Sequence, residues 1–191
     1  MTKKILVILG HPTKESLNNA LADAYIKGVK EADAEVDCLC IRDLKFDPNL
    51  AAGYHSMKEL EPDLLIAQEK IRWANHIVWI YPTWWGFFPA IMKGFIDRIF
   101  IPGFSHKYHK GRLLPERLLK KKTVRIITTM DGCYWIYNLL LRPGIIALKT
   151  TMRFVGIKPK GVTAVDQVRK KSEARLEKIL LKIKKLGQKL K

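Results

Sequence analysis

The stretch Ile5 Leu6 Val7 Ile8 Leu9, followed by Gly10 His11 Pro12 Thr13 Lys14 Glu15 Ser16, decides the fold. Five aliphatic residues without polar alternation describe a strand covered on both faces, since a strand with one wet face alternates with period two. The polar segment ends in Ser16, a natural N-cap, and Leu17, Ala20, Leu21, Ala24 and Tyr25 then recur at helical spacing. The order is strand, polar loop, helix.

That order repeats outward. Val36, Cys38 and Cys40 alternate with Asp37, Leu39 and Ile41 as a second strand, and a long polar connection runs from Asp43 to Pro62. A helix from about Asp63 to Trp73 precedes a third apolar strand, His76 Ile77 Val78 Trp79 Ile80 Tyr81, which stops at Pro82. Pro89 opens another helix, whose apolar face is Ile91, Met92, Phe95, Ile96 and Ile99. Val124 to Thr129 reads as a fourth strand, Val155 to Val165 holds a weaker fifth, and a helix from about Ser172 to Leu190 closes the chain. Short strands separated by helices predict an α/β fold: a parallel sheet with helices on both faces, joined by right-handed crossovers.

Size and composition agree with one domain spanning 1–191. A chain of 191 residues, 48% hydrophobic and 28% charged, buries roughly 70% of the surface its unfolded form exposes, without help from disulfides or a structural metal. Three cysteines, an odd count, predict a reduced, cytoplasmic protein. The apolar run after Lys4 is too short for a signal-peptide core, and none approaches the roughly 18 residues of a membrane span. Charge is the unusual quantity: 35 basic and 18 acidic residues leave +17, which predicts an anionic ligand, membrane surface or nucleic acid nearby without choosing among them.

In an open parallel sheet, ligands bind beyond the carboxyl ends of the strands, where strand order reverses. Three loops then matter. The first, Gly10 to Asn18, leads into a helix N-terminus suited to a phosphate, although it carries neither GxxxxGK[ST] nor GxGxxG. Ser16 reads as a helix cap or a phosphate ligand, and His11 as a phosphate ligand or a turn residue. The second loop, Tyr81 Pro82 Thr83 Trp84 Trp85 Gly86 Phe87 Phe88 Pro89, puts five aromatics in eight residues. Aromatics in a loop must pack against something: a flat conjugated ligand, a partner subunit or the core itself. The third, Thr128 Thr129 Met130 Asp131 Gly132 Cys133 Tyr134 Trp135, adds hydroxyls and backbone at the same sheet end. Phosphate, flat ring and polar rim handled in order fit a flavin.

On these residues, and on the block Pro89 Ala90 Ile91 Met92 Lys93 Gly94 Phe95 Ile96 Asp97 Arg98 Ile99 Phe100 with Pro102 Gly103 Phe104, the chain resembles the flavodoxin-like NAD(P)H:quinone oxidoreductase family. The resemblance implies a flavodoxin-like five-stranded parallel sheet of order 2-1-3-4-5. It also implies a bound flavin, FMN or alternatively FAD, and two-electron ping-pong transfer from NAD(P)H as co-substrate to a quinone or similar acceptor. It places His11, Ser16, Leu17 and Asn18 at the flavin phosphate. Pro82, Thr83, Trp84, Trp85 and Gly86 fall along the isoalloxazine, with Thr128 and Thr129 in the third flavin loop. Met130 and Asp131 stand where mammalian relatives carry two glycines. No catalytic pair aligns, and Tyr134 and Tyr137 are the candidates, with ordinary packing as the alternative. The resemblance further implies a homodimer whose site is completed across the interface. The rival function is a flavin-bearing regulatory or accessory subunit that docks on a membrane transporter through its basic surface.

Two basic segments remain. Phe104 to Arg112, with His106 and His109, reads as a rim folding over the ring or as a solvated loop, and no cysteine or carboxylate lies near at a metal-ligand spacing. Arg169 to Lys191 carries ten Lys or Arg against two Glu, with Leu176, Ile179, Leu180, Ile183 and Leu186 in a helical stripe. Packing on the sheet is the main expectation for that stripe and peripheral membrane contact the lesser one. Nothing beyond charge suggests nucleic acid.

Overall fold

A computed structural model describes residues 2–50, 53 and 59–190. In chain order it contains β1 (Lys4–Leu9), α1 (Leu17–Lys30), β2 (Glu35–Cys40), α2 (Pro62–Trp73), β3 (His76–Pro82), α3 (Ala90–Ile99), β4 (His106–Lys107) and β5 (Glu116–Arg117). There follow β6 (Thr123–Thr129), α4 (Tyr134–Leu139), α5 (Pro143–Val155), β7 (Lys158–Val165) and α6 (Glu173–Gln188). The five long strands are all parallel in order β2-β1-β3-β6-β7. This is the expected 2-1-3-4-5 sheet, with β4 and β5 forming a separate antiparallel pair between its third and fourth strands. Part of the polar connection between Asp43 and Pro62 lies outside the described residues.

Burial explains the missing alternation. Leu6, Ile8, Ile77, Trp79, Tyr81, Val124 and Ile126 face one layer, with Leu64 and Ile71 of α2, Phe95 of α3 and Leu148 of α5. Ile5, Val7, Leu9, Val78, Ile80 and Ile127 face the other, with Leu21 and Tyr25 of α1 and Ile183 of α6. Burying each aliphatic side chain contributes roughly 1.5–3 kcal/mol, so a polar residue on either face of β1 or β3 would be costly. β1 lies between β2 and β3, and successive crossovers therefore leave it in opposite directions. That is the switch point, and the amide of Gly10 donates across it to the carbonyl of Ile80 at 2.8 Å.

Three expectations change in detail. The terminal stripe is buried largely through α1: Ile183 is fully enclosed, and Ile179, Leu180 and Leu186 pack around it. A Cβ on Gly28 would overlap the Lys184 carbonyl and one on Gly187 the Tyr25 carbonyl, so the two helices meet backbone to backbone. The fifth strand starts at Lys158 because Val155 ends α5, where Gly156, at φ 100°, supplies the left-handed stop. Phe104 to Arg112 is only partly a solvated loop. His106 is buried with its ring 5.1 Å from those of Tyr108 and Phe154, and His109 Nε2 lies 2.8 Å from Glu116 Oε2.

Candidate active site

The first loop is held from three sides. Ser16 caps α1, its Oγ accepting from the Asn19 amide at 3.3 Å. The amides of Leu17 and Asn18, in the first helical turn, have no intrahelical acceptor and are available to an anion. The Thr13 amide donates to His11 Nδ1 at 3.1 Å, which leaves the neutral ring's proton on Nε2. Burial lowers the His11 pKa, and the nearby Arg42 charge adds to this, so the ring is neutral at pH 7. Arg42, just after β2, donates through Nη1 to the carbonyl of Thr13 at 3.1 Å and to Asn19 Oδ1 at 3.3 Å. It both pins the loop and adds positive charge.

The second loop is a tight hairpin. Trp84 N–H donates to Phe87 O at 2.8 Å and Phe87 N–H to Trp84 O at 2.9 Å, with Trp85 at φ 51° and Gly86 at φ 78°. Positive φ at both central residues is the signature of a type I′ turn. Glycine accepts this freely, whereas a left-handed L-residue costs roughly 1–2 kcal/mol, and the bulky Trp85 ring ends fully exposed. Tertiary bonds hold the strained turn. The carbonyl of Gly86 accepts from the Tyr137 hydroxyl at 3.0 Å and from the Gly144 amide at 3.0 Å, while His11 meets the edge of Trp84 with ring centroids 5.9 Å apart.

The third loop is tied to both others. The Thr83 amide donates to Thr129 O at 2.7 Å, and the hydroxyls of Thr83 and Thr128 lie 2.7 Å apart. Asn18 is buried, its Nδ2 donating to Thr129 Oγ1 at 2.9 Å, so it acts as a strut between the first and third loops. The Asn18 Oδ1 is buried without a hydrogen-bond partner among the described residues. Asp131 pairs with Arg169 at 2.9 Å on the surface, and the Tyr134 amide donates to Asp166 Oδ2 at 3.1 Å, closing the start of α4.

Between the second and third loops lies a cleft of about 620 Å³. Of the residues expected from the sequence, Thr83, Trp84, Trp85, Gly86, Met130, Asp131 and Tyr137 line it. Pro82, Thr128 and Thr129 lie buried at the ends of β3 and β6 beneath the loops, and His11, Ser16, Leu17 and Asn18 belong to the neighbouring first loop and the start of α1. Tyr134 is not in the cleft wall; its ring lies 6.5 Å from that of Tyr137. Burial raises the Tyr137 pKa, which keeps its hydroxyl a donor to Gly86. Arg169 in the cleft wall and Arg42 at the first loop are the residues that sequence reasoning passed over, and Gly132, named only within the third loop, also lines the cleft. A Cβ on Gly132 would meet nothing within 4 Å, so the cleft is open above its backbone. A flat ring against the turn and an anion at the start of α1 fit this donor set of amides, a neutral imidazole and Arg42; of the carboxylates nearby, Glu15 is exposed on the loop and Asp43 lies 3.7 Å from Arg42 Nε.

Comparison with known proteins agrees with this geometry. A family model described as flavodoxin-like fold matches residues 3–189. A ribosyldihydronicotinamide dehydrogenase-like protein of Penicillium crustosum is 29% identical over 154 residues, covering 68% of this chain and 58% of that protein. NAD(P)H dehydrogenase (quinone) 1 of Cavia porcellus is 27% identical over 173 residues, covering 74% and 61% respectively. The chain thus spans about three-fifths of the length of these curated relatives. The crystal structure of Smu.1420 from Streptococcus mutans UA159 matches with a TM-score of 0.83 and 26% identity, covering 97% of this chain and 99% of that one.

Proposed function

This chain belongs to the family of flavodoxin-like fold, and from that premise we propose that it is a flavin-dependent NAD(P)H oxidoreductase that reduces a quinone or similar acceptor by two electrons. The observation that carries the proposal is the cleft between the Trp84–Phe87 turn and the loop after Thr129, close to a helix start at the sheet's switch point whose first amides have no intrahelical acceptor. Bound there, a flavin would supply the redox chemistry, exchanging electrons with nicotinamide and acceptor in turn. The protein's part is to bind and orient. The amides of Leu17 and Asn18, with Ser16, His11 and Arg42, would hold the phosphate, and the backbone of Thr83 to Gly86 and of Met130 to Gly132 would line the ring. FMN is the flavin assigned, because no segment of the chain is identifiable as an adenine site.

Tyr137 is a positioning residue in this reading: its hydroxyl is engaged by Gly86, and that bond sets the height of the turn. A reduced compartment, the cytoplasm, suits the three free cysteines. Among the described residues no helix is long and apolar enough to cross a membrane. The transporter-docking alternative rests on charge alone, since the apolar side of α6 is already occupied by α1.

The visible absorption spectrum tests the proposal. Purified protein, reconstituted with FMN if needed, should show a flavin spectrum that bleaches on anaerobic addition of NADPH or NADH and returns with a quinone. A colourless protein that takes up neither FMN nor FAD would sink it.

A homodimer completes the reading. Trp85 in the cleft wall, and Trp135, Leu139, Leu140 and Leu141 in and just after the helix that carries the cleft residue Tyr137, are all exposed, Trp135 by 68% and Leu139 by 73%, and large apolar side chains left exposed in such numbers suit an interface. Light scattering should give the mass of two chains for the native protein and one for the Trp135→Glu/Leu140→Glu variant. A native protein that already runs as a single chain would remove the dimer from the reading.

A further inference from the structure

The opposite end of the sheet carries a second polar recess. At the amino ends of β1, β3, β6 and β7, against the end of α6, a hollow of about 700 Å³ is lined by Lys3, His76, Lys121, Arg125, Lys160 and Lys189, and by no carboxylate among the described residues. Helix C-termini gather at this end of such a sheet, so a lysine here has an ordinary use in binding terminal carbonyls. Lys122, nearby, has that use: its Nζ donates to the carbonyls of Arg72 and Ala74 at the end of α2. Lys3 likewise donates to the Leu190 carbonyl. The side chains of Lys121, Lys160 and Lys189 make no hydrogen bond or ion pair among the described residues, and neither Lys3 nor Arg125 has a carboxylate partner there.

The backbone is shaped around this cluster. Val124 pairs with Pro159 but Arg125 with Gly161, so a bulge in β7 leaves Lys160 without a partner in the ladder and turns it into the hollow. A Cβ on Gly161 would lie 2.6 Å from Arg125 Nη2, so the guanidinium rests on a bare glycine backbone. One guanidinium nitrogen reaches Thr163 Oγ1 at 3.2 Å, while Arg125 Nε is buried without a hydrogen-bond partner among the described residues. His76, in the wall of the hollow, is 1% exposed; its Nδ1 lies 2.7 Å from Thr123 Oγ1, and its Nε2 is buried with no hydrogen-bond partner among the described residues. Buried unpaired nitrogens destabilise a fold unless something supplies acceptors. Burial, with the charges of Lys3 and Arg125, holds the His76 pKa down at about 4, and burial, with Lys160, lowers that of Lys3. Burial is the larger cause of both, and the neighbouring positive charges add to it.

We propose that this recess binds clustered phosphate groups, carried by a free polyphosphate or by a polyphosphorylated lipid headgroup. Five cations around a hollow of this size exceed what one phosphate can engage, whereas a chain or cluster of phosphates would meet them all with charge-assisted bonds. The site lies at the far end of the strands from the flavin cleft and does not depend on it.

Calorimetric titration of the full chain with inorganic tripolyphosphate, at constant ionic strength, tests the site. Lys160→Ala/Lys189→Ala removes two exposed cations of the recess, and Lys178→Ala/Lys182→Ala removes the same charge from exposed positions elsewhere on α6. Binding at least tenfold weaker in the first variant and within twofold of native in the second is expected. No binding by the native chain, or equal weakening in both variants, overturns the proposal, because the charge would then act diffusely. Sedimentation with phosphatidylcholine vesicles, with and without phosphatidylinositol bisphosphate, separates the sources. Vesicle binding that tripolyphosphate displaces and Lys160→Ala/Lys189→Ala abolishes identifies the headgroup. Tripolyphosphate binding without vesicle binding identifies a free anion. Vesicle binding unaffected by the double variant removes the lipid from this recess.

Discussion

Gly28→Ala is expected to lower stability by about 3 kcal/mol, a fall in Tm of roughly 6–12 °C for a chain of this size. In an exposed helix the same change stabilises by about 1 kcal/mol, since alanine is the better helix former, so the sign alone is informative. Here the new methyl group would overlap the Lys184 carbonyl. The atom it meets is backbone and cannot rotate away. α1 and α6 would have to separate, loosening the layer built on Leu21, Tyr25 and Ile183. Gly187→Ala, which drives a methyl group into the Tyr25 carbonyl, should behave alike. A rise in Tm for either variant, measured by thermal unfolding, would mean that the two helices do not touch through their backbones. The consequence reaches the site, because the N-terminus of α1 carries Ser16 and the strut Asn18.

Gly144→Val is expected to weaken flavin retention ten- to a hundredfold, about 1.4–2.8 kcal/mol of binding, with the far-ultraviolet circular dichroism unchanged. A Cβ at position 144 would lie 2.9 Å from both the Gly86 carbonyl oxygen and Phe87 Cα, so the Trp84–Phe87 turn must shift away from α5 and give up the 3.0 Å bond from the Gly144 amide. Because the turn forms one wall of the cleft, the displacement is transmitted to whatever lies against it. Tyr137→Phe removes the other bond to Gly86 without adding bulk, and should cost only about 1 kcal/mol, roughly fivefold. Fluorescence titration of the apoprotein with FMN measures both. Native affinity in Gly144→Val would show that the position of the turn does not govern binding.

Much of the fold was legible because it is written in local pattern. The unalternating run Ile5 to Leu9 and the wholly buried β3 announce strands covered on both faces, and Ser16, Pro82 and Pro89 mark where elements begin or end. Strand order 2-1-3-4-5 came from the family resemblance, and the pairing of β1 with both β2 and β3 bears it out. The segment from Tyr134 to Val155 was less legible. Tyr134 and Tyr137 stand three residues apart, about one helical turn, but two helices form there, broken by Leu141 and Arg142 at positive φ, where no glycine flags the turn. The candidate site divides in the same way. Its three loops could be located from strand ends, but Arg42 and Arg169 could not, because each reaches the site from another element and looks like any other surface cation in a chain of +17.

What the sequence determined by itself is periodicity and punctuation: which segments are strands or helices, which faces are apolar, and at which sheet end the polar loops gather. These depend on neighbours a few residues apart, and one chain displays them in full. Only the tertiary structure decided that Gly28 and Gly187 bring α1 and α6 into backbone contact, that Tyr137 and Gly144 hold Trp85 in a left-handed turn, and that Lys3, Arg125 and Lys160 share one recess. Each joins residues far apart in the chain, and contacts of that kind arise from the packing of the layers rather than from any local preference.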